Sequence, residues 1–122
     1  MANDFKRFAK PSVGTSTGAS ADAVYTVPAG AGSTALESII IGITLANKTS
    51  TGVTASVFLD NEDGSNDVFI VKDAIVPAGS SLEIMSGNKL VLQNDGSNAD
   101  VVRISCGTGS ALDAIVTVLE DV

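Results

Sequence analysis

The densest polar run in the chain is Asp60-Asn61-Glu62-Asp63-Gly64-Ser65-Asn66-Asp67, four carboxylates in eight residues. Oxygen donors at that density suit a hard cation such as calcium. The spacing does not fit a helix-flanked calcium loop. With Gly64 at its sixth position, Leu59 falls on the first ligand and Ile70 on the twelfth. The same residues make an ordinary hairpin loop in which Asp-Gly supplies the turn. A loop without metal is the expectation. Asn94 to Asp100 has the same flavour with fewer charges.

Paired carboxylates that trade protons need one raised pKa, hence a pocket. Asp22, Glu37, Asp73, Glu83 and Asp113 are available, but no motif gathers them. The chain has no His, which removes histidine general bases and histidine metal ligands. A serine nucleophile would have to rely on Lys48, Lys72 or Lys89, and no motif points to one. Gly107-Thr108-Gly109-Ser110 faintly resembles a phosphate loop but lacks the downstream lysine and helix. The single Cys, Cys106, rules out an internal disulfide framework and a multi-cysteine zinc site. It continues the alternation Val102, Ile104, Cys106, as a small buried hydrophobe would. The expectation is a protein that is not an enzyme, with no catalytic residue, no cofactor and no metal.

The elements that carry these residues are short. A chain of 122 residues makes one domain and hides roughly two-thirds of its unfolded surface. Hydrophobic residues are 44% and aromatics 4%, with no Trp, so Val, Ile, Leu and Ala must build the core. Apolar runs recur near every tenth residue: 23–27, 36–46, 53–59, 68–71, 74–76, 81–85, 89–93, 101–106 and 112–119. Turn residues separate them. Gly42 inside the second run predicts a bulge or a close neighbour. β-branched residues at 115–118 oppose a weak helical pattern there. The pattern predicts an all-β, antiparallel β-sandwich of about eight strands, jelly-roll or immunoglobulin-like. Val27-Pro28-Ala29-Gly30 recurs as Val76-Pro77-Ala78-Gly79, which predicts one turn used twice.

Residues 1–21 differ from the body at 22–122. From Lys10 to Ala21 the chain is small, polar and Gly-containing, a flexible composition. Yet Phe5 and Phe8 are half of all its Phe. This predicts an extended N-terminal arm that orders on a partner or on its own body. A short first strand or turn of helix tucked onto the domain is the equal alternative. Fully extended, the arm spans up to about 70 Å. Its first ten residues carry +2 and the remainder −9. An acidic body opposes nucleic-acid binding and docking on an anionic membrane. No run of 18 apolar residues is present, and no signal-peptide pattern is expected at the start.

The opening Met1-Ala2-Asn3-Asp4-Phe5-Lys6-Arg7-Phe8, then Val13-Gly14-Thr15-Ser16 and Tyr25-Thr26-Val27-Pro28-Ala29-Gly30, resembles small virion structural proteins of marine tailed phages, especially cyanophages. Ile39 to Asn47, Val76 to Glu83, Gly87 to Leu92 and Leu112 to Glu120 are similar too, so the likeness covers nearly the whole chain. The runs 60–67 and 94–100 depart from it. The resemblance implies a virion location and virion partners: a capsid decoration or cement protein on the major capsid lattice. The alternative is a neck, tail or baseplate component, such as an adaptor or fibre-attachment module. A receptor- or glycan-binding module is a third reading. On this view Phe5 and Phe8 fill partner pockets, while Lys6, Arg7 and Lys10 meet acidic neighbours. A homo-oligomer such as a trimer would cover strand edges.

Overall fold

A computed structural model describes residues 3–61, 68–85 and 89–121, apart from the side chains of Asn3, Ala19 and Asp121. Nine strands follow one another: β1 (Asn3–Lys10), β2 (Asp22–Thr26), β3 (Leu36–Asn47), β4 (Val53–Asp60), β5 (Val68–Val76), β6 (Ser81–Glu83), β7 (Leu90–Asn94), β8 (Val101–Cys106) and β9 (Leu112–Asp121). The described residues contain one 3₁₀ turn, Gly18–Ser20, and no α-helix. No helix there is long and apolar enough to cross a membrane.

The strands form two antiparallel sheets. The first runs β1-β9-β3-β6, with β7 also on β3, and the second runs β2-β8-β4-β5. Because β9 holds one edge of β3, β6 and β7 share the other: Thr44–Ala46 faces β6 and Leu36–Ile40 faces β7. The pairs are nested: β1 with β9, β2 with β8, β3 with β6 and β7, β4 with β5. This is a long hairpin rolled over itself, the jelly-roll arrangement. An immunoglobulin-type sheet would set the first two strands side by side, whereas here β1 and β2 lie in different sheets.

Alternation decides which side chains meet between the sheets. Ile40, Ile43 and Leu45 of β3 and Val116 and Val118 of β9 come from one sheet, and Val57, Val102 and Ile104 from the other. All eight are fully buried. The register on β9 shifts between Ile40 and Gly42, the bulge expected at Gly42. Glu83 braces it, accepting from the Ile43 N–H at 3.0 Å and the Thr44 hydroxyl at 2.6 Å. The runs 68–71 and 74–76 are one strand, β5, with a bulge at Asp73 (φ 52°).

The repeated Val-Pro-Ala-Gly does not make one turn twice. At 77–80 it is a tight turn, closed by the Ser80 N–H on the Pro77 carbonyl at 3.1 Å with Gly79 at φ 63°. At 27–30 it is extended, and the reversal comes later, where Gly30 and Thr34 pair. The residues after each glycine make the difference: Ser80 leads straight into a strand, whereas Gly30 opens a three-residue loop that closes at Thr34.

Candidate docking face on the first sheet

The sequence division at residue 21 does not separate an arm from a body. β1 pairs with β9 over its whole length, Asn3↔Asp121 through Lys10↔Ala114. Val13, just beyond, is fully buried and donates its N–H to the Leu112 carbonyl at 2.8 Å. The physical reason is the edge: without β1, β9 would present a row of unpaired N–H and C=O groups. The chain's own first strand fills it.

Strand alternation then sorts the five predicted partner residues. Lys6, Phe8 and Lys10 share the parity that faces the sandwich, while Phe5 and Arg7 share the outward one. Phe8 packs its ring on Tyr25 with centroids 4.8 Å apart. Lys6 reaches Glu120 Oε1 at 2.9 Å. Glu120 is 1% exposed, and its Oε2 accepts from the Tyr25 hydroxyl at 2.7 Å. The Ser38 hydroxyl lies 2.7 Å from the same phenol. Burial is the main force raising the Tyr25 pKa, ahead of its hydrogen bonds. The hydrogen bond to Glu120 raises that of Lys6. Phe8 and Lys6 thereby anchor the strand to its own body.

The outward residues do something else. Cross-strand pairing puts Phe5 beside Leu119, Leu119 beside Ile39, and Ile39 beside Val91. An apolar row therefore crosses β1, β9, β3 and β7 on the solvent side of the sheet. Phe5 is 75% and Val91 56% exposed. Ile41 at the bulge widens it, and Ile115, also exposed, lies further along β9 beyond Thr117. The next row begins at Arg7, opposite Thr117, and no ion pair or hydrogen bond engages Arg7 among the described residues. Glu37, exposed on β3, flanks the other side. Outer faces of antiparallel sheets are ordinarily polar, so this face stands apart.

Sequence reasoning missed Ile39, Ile41, Val91 and Leu119. A signal existed: Ile39-Ile40-Ile41 is unbroken, and strands covered on both faces lose their alternation. Of the carboxylates considered for proton transfer, no two are joined by a hydrogen bond. Asp22 accepts from the Gly14 N–H at 2.7 Å, Asp73 is held by Ser56, and Asp113 by the Ser12 N–H and Lys48. The Cys106 thiol, 6% exposed, lies 2.9 Å from the Thr108 carbonyl, and burial raises its pKa. That is the opposite of an activated nucleophile. Most of the acidic run, Glu62 to Asp67, lies outside the described residues.

No family model matches the chain, and no curated protein does. Among solved structures it is similar to a chain in the structure of infectious bursal disease virus Gx strain, with 14% identity and a TM-score of 0.38. The likeness covers 98% of this chain and 35% of the other, so the protein spans about a third of that chain's length.

Proposed function

We propose that the protein is a non-enzymatic virion structural component of a tailed phage, a decoration or cement protein that docks on the capsid lattice. The observation that carries this reading is the apolar row Phe5–Leu119–Ile39–Val91 on the outer face of the first sheet. Contiguous apolar surface of this kind marks protein–protein contact. Four strands at ~4.8 Å spacing and about eight residues of ~3.3 Å give a face of about 500 Å². That is below the ~800 Å² per partner of a standard interface. One such contact is weak, and it suits a module repeated many times on a lattice, where avidity multiplies it. Arg7 beside the row fits an acidic group on the shell and sets orientation.

The test is co-sedimentation of the purified chain with empty phage shells, using Phe5→Ser and Val91→Ser. Both side chains are exposed, so folding stability should change by no more than ~0.5 kcal/mol while shell binding is lost. Undiminished binding by the folded double variant would remove the proposal. Copy number per particle places the protein: hundreds fit decoration, tens or fewer a neck, tail or baseplate position.

A further inference from the structure

The solvent side of the second sheet carries a groove that the docking face does not use. Its floor is the cross-strand pair Ser56 and Ser105, on β4 and β8. One wall is the connection from Thr15 to Gly18, and the other is β5 from Phe69 to Asp73. The larger part has a volume of about 440 Å³, inside the range of small-ligand sites. A second part of about 180 Å³ continues it toward Thr54 and Cys106.

Hydroxyls and one carboxylate line the groove. Ser105 is 6% exposed, lines both parts of the groove, and its hydroxyl bonds to no described residue. This hydroxyl opens on the groove and can donate to or accept from a polar group that enters there. Thr15, Thr17 and Thr54 add hydroxyls that likewise bond to no described residue. Asp73 supplies a carboxylate free of any ion pair among the described residues. It is fixed because its own N–H donates to Ser56 Oγ at 2.9 Å and its Oδ1 accepts from that hydroxyl at 3.4 Å, which leaves Oδ2 for a ligand. Phe69, 56% exposed, packs on Phe58 with ring centroids 5.7 Å apart and adds an aromatic surface to the wall, with the Lys72 ammonium over its ring at 5.4 Å.

Hydroxyls that donate or accept, one acceptor-only carboxylate, one ammonium and one ring match a polyol with an apolar face. Asp73 and Lys72 cancel in charge, so an anionic ligand gains nothing. We infer that this groove binds a neutral saccharide unit, with Asp73 and Ser105 taking its hydroxyls and Phe69 its apolar face. It lies on the opposite sheet from the docking face, so the two proposals stand or fall separately.

The experiment is amide chemical-shift titration of the isotope-labelled full chain with methyl glucoside, maltose and lactose, and with glucuronate as the anionic counterpart. At least one neutral sugar should shift Thr17, Ser56, Asp73 and Ser105 saturably, with a Kd on the order of 1 mM. Asp73→Asn tolerates the same positive φ and keeps the N–H to Ser56. It and Ser105→Ala should each weaken binding by about fivefold or more with unchanged melting temperature. Phe5→Ser should bind sugar normally, and Asp73→Asn should still sediment with shells. No saturable shift with any neutral sugar, shifts mapping to another surface, or tighter binding of glucuronate would each overturn the inference.

Discussion

Tyr25 is held by burial, Ser38 and the carboxylate of Glu120 at once. Replacing it with Phe keeps the ring against Phe8 but leaves Glu120 Oε2 without its donor in a dry site. Tyr25→Phe should cost about 1–3 kcal/mol by denaturant unfolding. The raised phenol pKa means that the folded state prefers the proton. That stabilisation is complete below the unfolded value near 10.0 and declines as pH rises above it. The wild type should lose stability in that alkaline window, and Tyr25→Phe should lose less. Asp113 runs the other way. The Ser12 N–H and Lys48 hold its pKa down, so its contribution is present above 3.8 and fades as pH falls below that. Acid titration of stability should flatten in Asp113→Asn, and the Ser12 amide should exchange faster. Of these partnerships the sequence showed only the residue types. Phe8 and Phe5 were both legible as scarce aromatics with a purpose, but parity on a strand sends one inward and one outward. That parity needed the pairing partner.

Elements with local causes were readable and those with distant causes were not. The bulge at Gly42 followed from a glycine in an apolar run, and most strands from alternation. Asp95 organises its own loop, accepting from the N–H groups of Ser97 and Asn98, as turn chemistry anticipates. The destination of β1 was not readable, because β9 lies more than a hundred residues away. Two glycines with the same sign of φ separate local from distant effects. Gly79 (φ 63°) has open space where a Cβ would go, while a Cβ on Gly96 (φ 99°) would sit 2.4 Å from the Ser33 carbonyl oxygen. Gly79→Ala should therefore cost about 1–2 kcal/mol, the left-handed penalty alone. Gly96→Ala should cost more, because the backbone of the 30–34 turn must also move. Thermal melts of the two variants compare them directly. Cutting away residues 1–10 is not a neutral test of docking, since it uncovers β9 and leaves Glu120 without Lys6.

For the whole molecule, the sandwich class was legible from runs of about ten residues and their turns. The choice of jelly roll over immunoglobulin-like order was not, because it depends on which strands meet. The body's acidity and the apolar row together predict how docking responds to salt. Charge attraction weakens as salt screens it, whereas excluded salts such as sulfate strengthen apolar burial. If the row dominates, shell binding should hold or rise with ammonium sulfate. A steep loss with sodium chloride would instead make Arg7 the principal contact.

The pairing of Asn3 with Asp121 brings together segments more than a hundred residues apart. β1 therefore waits for β9 before that sheet can close, which favours slow folding. It also means that a few linking residues could join residue 3 to residue 121 and a new opening be made in a surface turn such as 77–80. A circularly permuted version of residues 3–121 built that way should keep the sandwich while tying β1 to β9 at the rim of the docking sheet.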